Sequence, residues 1–332
     1  MTTSPAPVRM GVLSCADIAW RRMLPAMAAS PDVLPVAVAG RERAKAETFA
    51  RRFDCEAVTG YAALLERADV EAVYIPLPTG LRAGWVERAL RAGKHVLAEK
   101  PLATSREEAE GLLSLAERSG LLLVENLVFP HHSQHEEVRR LLGEGAIGEL
   151  RSFSGDFGIP PRDPGDFRYR PELGGGALFE VGVYPIRAAQ LFLGGDLEVC
   201  GAFLRYDAAT GVDVDGGALL CSPRGVGAQI RFGFEHSYRS SYALWGSLGT
   251  LTLDRAYTSP DSMRPVVRLE RQDHVEERTL PADRQFVNIL ESFARSVRRG
   301  DGQAVQAAHT GQALAQAGLV DEIRSRARRI TI

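Results

Sequence analysis

The feature that most constrains this chain is a strand–helix–strand pattern running from Ala72-Val-Tyr-Ile-Pro-Leu-Pro78 to His95-Val-Leu-Ala-Glu-Lys-Pro101. Two apolar runs, 73–77 and 96–98, have the make-up of strands buried on both faces of a sheet. Each run stops at proline, which cannot extend a ladder and turns the chain out at the strand's end. Residues 81–92 read as a helix, and Gly93 follows where a helix ends in a left-handed residue. Strand, helix and strand in so few residues form a right-handed parallel crossover, and such sheets bind ligands at the carboxyl ends of their strands. Pro76, Leu77, Pro78 and the run Glu99-Lys100-Pro101 fall at those ends, so Lys100 stands at the rim of the expected crevice. Only Lys45 and Lys94 accompany it in an arginine-rich chain, so few lysines compete for a chemical role.

The rest of the first part repeats the pattern. Strands at 8–13, 34–39, 56–58 and 121–124 and helices at 17–27, 43–52, 61–67 and 105–119 complete a doubly wound α/β domain. Ser105 with Glu108 reads as a capping box, and Gly120 as a helix stop. The turn after the first strand needs small residues, so that main-chain amides can reach a pyrophosphate at the helix N-terminus. Gly11 fits, whereas Ser14 and Ala16 stand where glycines are expected, and a purely structural turn stays equally open. At the end of the second strand Gly40 is followed by Arg41, which suits a 2′-phosphate, with a solvated arginine opening the next helix as the alternative. The favoured cofactor is therefore NADP(H). Its candidate contacts are Gly11, Ser14, Cys15, Ala16, Asp17 and Ile18 in the first turn, then Gly40, Arg41 and Tyr61. Pro76, Leu77, Pro78, Glu99, Lys100 and Asn126 complete the set at the later strand ends.

From Leu150 onward the alternation is strand-like, in 150–157, 197–206, 217–222, 228–234, 242–245, 250–254 and 266–270. This predicts a large, mainly antiparallel open sheet. A helix at 178–193 interrupts it, and the helices 284–298 and 304–325 are expected to cover it. The irregular stretch 158–176 is too long for a passive connection and is expected to line a site. A helix at 131–142 reads as the bridge between two domains, a dinucleotide-binding domain at 1–128 and a substrate-binding and oligomerisation α+β domain at 129–332.

A net charge of −2 supplies no basic field for nucleic acid or an anionic membrane. No apolar run reaches the length of a membrane span, and the first residues lack the apolar core of a signal peptide. Cys15, Cys55, Cys200 and Cys221 lie far apart without metal or disulfide spacing. A cytoplasmic protein is expected. His131, His132 and His135 with Glu136 lack a fourth ligand or a catalytic glutamate spacing, so no metal is assigned and a surface or interdomain histidine cluster is expected. In Gly174-Gly175-Gly176-Ala-Leu-Phe-Glu180-Val-Gly182-Val-Tyr184 the glycines permit close approach or unusual dihedrals. Glu180 and Tyr184 would share a helix face one turn apart. That places the Tyr184 hydroxyl toward the crevice beside Lys100, with a packed core tyrosine as the alternative.

Together the glycine-bearing first turn, Tyr74-Ile-Pro-Leu-Pro78, Glu99-Lys-Pro101 and Gly174-Gly-Gly…Gly182-Val-Tyr184 resemble the glucose–fructose oxidoreductase/inositol dehydrogenase/MocA-type family over nearly the whole chain. The resemblance implies a Rossmann domain followed by an open-sheet domain that packs into an oligomer. It also implies a nicotinamide cofactor and a sugar or cyclitol substrate. Carried over, Lys100 sits beside the nicotinamide and the reacting oxygen. Tyr184 takes the position at which sugar and inositol dehydrogenases carry histidine, and Glu180 that of their aspartate. Thr79 and Arg82 replace a frequent Asn and His. An Asp–His pair suits alcohol oxidation, whereas Tyr with Lys suits proton donation during ketone reduction. The run Asp166-Phe-Arg-Tyr-Arg-Pro-Glu-Leu-Gly-Gly-Gly176 looks closest to C-3 ketoreductases of dTDP-deoxysugar biosynthesis, of the digitoxose, kijanimicin type.

The expectation is thus NADPH-dependent reduction of a 3-keto group on a dTDP-linked deoxyhexose. Lys100 and Tyr184 are its catalytic residues, and Arg168, Glu180, Tyr184 and Tyr238 its substrate contacts. The assembly is a homodimer or homotetramer through the C-terminal sheet. A catabolic sugar or dihydrodiol dehydrogenase and a non-catalytic dinucleotide-binding regulator are the alternatives.

Overall fold

A computed structural model of the chain describes residues 6–299 and 302–332, with the backbone alone for 302–305. The reading of residues 1–5 as part of a signal-free start lies outside the described residues. The chain forms two compact units, Met1–Asn126 with Phe286–Leu314, and Leu127–Gln285 with Ala315–Ile332.

The sheet of the first unit has six parallel strands: β1 (Val8–Leu13), β2 (Val33–Gly40), β3 (Glu56–Thr59), β4 (Ala72–Ile75), β5 (His95–Glu99) and β6 (Leu123–Asn126). Their order is β3-β2-β1-β4-β5-β6, so the winding reverses between β1 and β4. Such a reversal opens a crevice beyond the strands' carboxyl ends. Ala72, Val73, Tyr74 and Ile75 are wholly buried, as expected of a strand covered on both faces. The helices are α1 (Leu24–Ala29), α2 (Arg43–Phe53), α3 (Tyr61–Leu65), α4 (Thr79–Arg91) and α5 (Arg106–Arg118). A π-helical turn, Ala19–Met23, leads into α1. The α4 helix buries Thr79, Arg82, Ala83, Val86, Ala89 and Leu90, one stripe at helical spacing. It starts two residues earlier than the pattern suggested, directly on Pro78. At α5 the Ser105 hydroxyl accepts the Glu108 amide at 3.2 Å, while the Glu108 carboxylate reaches back to Thr104 N at 2.8 Å. Gly93 and Gly120 take φ of 75° and 64°, closing α4 and α5 as left-handed stops.

The second unit carries a nine-stranded sheet. Its strands are β7 (Leu150–Gly158), β8 (Glu198–Tyr206), β9 (Asp213–Cys221), β10 (Gly227–Gly233), β11 (Arg239–Gly246), β12 (Thr250–Asp254), β13 (Val266–Arg271), β14 (His274–Thr279) and β15 (Arg328–Thr331). The order is β14-β13-β12-β11-β7-β10-β9-β8-β15, antiparallel except where β7 meets β10 and β8 meets β15. Two of these strands were not foreseen. Both β14 and β15 are solvent-facing edge strands without apolar alternation, so no burial pattern marks them. On one face α6 (Gln134–Gly143) and α7 (Val183–Leu193), with the π-helical turn Leu178–Gly182 before α7, cover a core that includes Phe153, Phe232, Leu244 and Ile186. The opposite face shows Trp245 and Leu219, 64% and 45% exposed.

The last two helices, α8 (Gln285–Arg299) and α9 (Gly302–Arg326), correct the expectation that both cover the second sheet. Phe286–Leu314 belongs to the first unit. There Arg298 forks onto the Glu71 carboxylate at 2.6 and 2.7 Å and donates to the Ala6 and Pro7 carbonyls. The apolar stripe of α8 made it a covering helix, but a stripe alone does not say which sheet it covers. Among the described residues no helix is long and apolar enough to cross a membrane.

Candidate active site

The carboxyl end of β1 lies at the winding reversal, with that of β2 beside it. Gly11 is inside β1 rather than in the turn, and the Leu64 side chain lies 3.0 Å from where its Cβ would be, so its role is helix packing. The conformational demand falls on Ser14 instead, whose φ of 151° is one that glycine adopts readily and serine at a cost. The turn keeps a glycine-like backbone without the glycine. Cys15 turns its buried thiol under β2, with Sγ 3.1 Å from where a Cβ on Gly40 would lie. Burial raises that thiol's pKa, and the nearby Lys45 charge opposes the rise. Gly40 is therefore required by Cys15, and only the Cys15 main chain is left to meet a phosphate. Asp17 opens the helix on the solvent side and holds Arg21 at 2.7 Å. Ala16 accepts the Trp20 amide at 3.1 Å, which starts the helix, and Ile18 is half-buried within it. Arg41 is exposed directly beyond Gly40. Tyr61 packs edge-on against Trp85 at 5.1 Å. An open helix N-terminus, a glycine-like turn and an exposed guanidinium at the β2 end fit a dinucleotide that carries a 2′-phosphate.

At the ends of β4, β5 and β6 the side chains converge on Glu99. Its Oε1 accepts the Tyr74 hydroxyl at 2.7 Å and the Asn126 amide at 2.6 Å, and its Oε2 accepts the Lys100 main-chain N–H at 3.3 Å. The Leu102 N–H donates to Glu125 at 2.9 Å. Lys100 is 9% exposed, and the bond to Pro101 is cis. Arg82 was noted in the sequence only as a departure from its relatives. It lies buried under this loop, donating to the carbonyls of Leu77 and Pro101. Pro76 and Leu77 are buried beside it and Pro78 is partly exposed.

In the second unit the glycine run and the irregular stretch before it build one cluster. Gly174 and Gly176 have φ of 73° and 118°. A Cβ on Gly175 would lie 2.4 Å from the Arg168 carbonyl oxygen, and one on Gly176 2.3 Å from Asp213 Oδ1. The glycines therefore press the chain against the Phe167–Tyr169 turn, and Gly176 N–H donates to Arg168 O at 2.9 Å. That turn aims Arg168, whose guanidinium meets Asp166 at 3.0 Å and the buried Glu180 at 3.2 Å. Asp213 was not singled out in the sequence. It accepts the Leu178 amide at 2.7 Å and so caps the π-helical turn. Burial pushes its carboxyl up to about 6, against the pull of the Leu178 amide.

The sequence reading of Glu180 and Tyr184 as neighbours one α-turn apart needs correction, because Glu180 sits in the π-helical turn. Such turns widen a helix locally and recur at functional sites. Glu180 turns to Arg168, while the Tyr184 ring packs at 4.9 Å edge-on to Phe157, 5.9 Å from Tyr257 and 6.1 Å from Phe129. The Tyr184 hydroxyl lies within electrostatic reach of Arg168. Tyr238, part-exposed, bonds the Thr258 hydroxyl, stacks under Arg255 at 4.2 Å and lies 6.4 Å from Phe157. Arg168, Glu180 and Tyr184 thus come together, with Tyr238 joined to them through Phe157. The supporting Phe129, Phe157 and Tyr257 gave only ordinary core signals in the sequence.

The histidines do not form a surface cluster: His131 is partly buried. His132 and His135 are fully buried in the second unit. His135 Nδ1 bonds the Tyr242 hydroxyl at 2.9 Å and Nε2 the Ala256 carbonyl at 3.1 Å, and burial drives its pKa down to about 3. It is a neutral core residue.

Residues 8–127 match the sequence profile of an oxidoreductase family with an NAD-binding Rossmann fold, and residues 135–252 that of the GFO/IDH/MocA C-terminal domain. A dTDP-3,4-didehydro-2,6-dideoxy-alpha-D-glucose 3-reductase from Actinomadura kijaniata is 52% identical over 324 residues, 98% of this chain and 97% of the relative. An enzyme of the same name from Streptomyces violaceoruber is 52% identical over 337 residues, 100% and 98% of the two chains. The crystal structure of a 3-ketoreductase from Actinomadura kijaniata in complex with NADP and TDP-benzene superposes with a TM-score of 0.96 at 52% identity, covering 98% of this chain and 99% of that one. The winding reversal, the glycine-like first turn and both profile matches lead to one assignment: the chain belongs to the GFO/IDH/MocA oxidoreductase family.

Proposed function

We propose that the chain reduces the 3-keto group of a dTDP-linked 2,6-dideoxyhexose with NADPH. The observation that carries this is identity of about one half, along essentially the whole length, to enzymes named as reductases of that sugar. When bound, the nicotinamide supplies the hydride that converts the C3 carbonyl into an alkoxide. Lys100 Nζ faces the developing negative charge as a cation and gives it a proton. The neutral amine left behind regains its proton from solvent. A positioned ammonium within hydrogen-bond reach of the reacting oxygen serves as its general acid. The Glu99 carboxylate, held by Tyr74 and Asn126, fixes the backbone from which Lys100 projects. In the second unit Tyr184 orients the carbonyl or shares donation, backed by the Arg168–Glu180 pair. Tyr238 and Arg168 are substrate contacts, and Arg41 reads the 2′-phosphate.

The same reading includes a homo-oligomer formed through the exposed face of the second sheet and a cytoplasmic enzyme. Four free cysteines support the latter. Titrating the protein with NADPH and NADH, with and without dTDP, tests the core of it by nicotinamide fluorescence. Tight NADPH binding, weak NADH binding and a further response to dTDP are expected, with Arg41→Ala removing the preference for NADPH. A preference for NADH without a dTDP response would point instead to a catabolic dehydrogenase.

A further inference from the structure

We infer that Arg82 is a positioning residue for the reaction, acting through the loop that carries Lys100; this rests on the assignment of Lys100 as the proton donor. Arg82 projects from α4 and is 3% exposed. A guanidinium so deep is costly unless its donors are satisfied. Its two terminal nitrogens are satisfied specifically. One terminal nitrogen donates to the Leu77 carbonyl at 2.6 Å, and the other to the Pro101 carbonyl. These acceptors lie on two separate loops, one leaving β4 and one leaving β5, both at the carboxyl edge of the sheet.

A planar fork of this kind fixes distance and orientation together, which an ammonium on a flexible stem does not. The other contacts of the loop grip different groups. Glu99 is held by Tyr74 and Asn126, and the Leu102 N–H by Glu125. Arg82 is the contact that ties the carbonyl of Pro101, the residue directly after Lys100, to the proline-rich loop of β4. Because proton transfer depends on reach to within hydrogen-bonding distance, loss of the clamp slows chemistry more than it weakens binding.

The test is a double-mutant cycle of Arg82→Ala and Lys100→Ala, read in single turnovers with NADPH and the dTDP-linked keto sugar, alongside NADPH titrations. Arg82→Ala should lower kcat by roughly 10–100-fold while KM and NADPH affinity move by less than about threefold. Arg82→Lys, which keeps the charge but loses the fork, should recover only part of the rate. In the Lys100→Ala background the same Arg82 change should cost little, since the group it positions is gone. Equal losses in both backgrounds, or a loss confined to NADPH affinity and KM, would overturn the inference. Should Arg82→Ala not fold, Arg82→Lys and Arg82→Gln enter the cycle in its place with the same criteria. A Lys100→Ala enzyme that turns over normally would remove the donor assignment itself, a result visible in that single variant before the cycle is closed.

Discussion

In the proposed reaction Lys100 is the proton donor, and the residues around it decide how well it is placed. Its position follows from β5 ending at Glu99, whose carboxylate Tyr74 and Asn126 hold, and from Arg82, which holds the Pro101 carbonyl directly after it. A positioned acid of this type contributes roughly 10²–10⁴-fold to rate, so Lys100→Ala should collapse turnover by that order while NADPH still binds. Survival of turnover with less than about a threefold loss would show that the proton comes from elsewhere. Tyr184→Phe should cost less than Lys100→Ala, because its ring stays packed on Phe157 and only a secondary donor is lost. Lys100 and Tyr184 were legible as candidates from their motifs alone. Ser14 was legible only as a missing glycine, because its φ of 151° is imposed by the turn and leaves no mark on the residue's identity.

Among the elements, the π-helical turn Leu178–Gly182 is the one with a measurable switch in its cap. Asp213 accepts the Leu178 amide, yet burial raises its carboxyl to about 6, above the value of about 4 for an unfolded chain. The folded state therefore binds the extra proton between those two values. The stability this group contributes is present below pH about 4 and is lost as pH rises through about 6. Asp213→Asn keeps an acceptor for Leu178 and removes the titration. Its melting temperature should fall less than that of the unaltered protein between pH 5 and 7.5, approximate values bracketing the shift. Equal falls in thermal melts at the two pH values would show that Asp213 is ionised throughout. Asp213→Ala, lacking any acceptor, should cost about 0.5–2 kcal/mol at the lower pH, as loss of a helix cap does, and less at the higher one, where the unaltered protein has lost the protonated carboxyl's contribution.

At the scale of the whole molecule, the proposed assembly runs through the outward face of the nine-stranded sheet. Trp245, Leu219, Ala243 and the serines of β7 line a shallow groove there, with Trp245 64% exposed. An apolar tryptophan in such a groove is the composition of an interface rather than of ordinary surface. Light scattering after size exclusion should show an oligomer for the unaltered protein and a shift toward monomer for Trp245→Glu, with the first unit's NADPH binding retained. A monomer for both proteins would remove the proposal that this face assembles.

What the sequence determined by itself was whatever is encoded locally. Buried runs stopped by prolines define β4 and β5, glycines close α4 and α5, Ser105 caps α5, and alternation marks seven strands of the second sheet. Those signals were enough to put Lys100 at a strand end and Tyr184 on a helix after a glycine run. What only the tertiary structure decided were matters of partner and register. An amphipathic stripe shows that α8 must cover something, but Glu71 and the Ala6 and Pro7 carbonyls, more than two hundred residues away, decide that it joins the first unit. Edge strands β14 and β15 bury too little to carry a pattern. The extra residue of a π-helical turn changes no composition, yet it sends Glu180 to Arg168 and Tyr184 into the aromatic cluster. Arg82 stood in the sequence only as a replacement for a frequent histidine, and the two carbonyls from separate loops around its guanidinium belong to the fold. A residue's own preferences set local conformation, whereas long-range contacts select among the several burials each pattern allows.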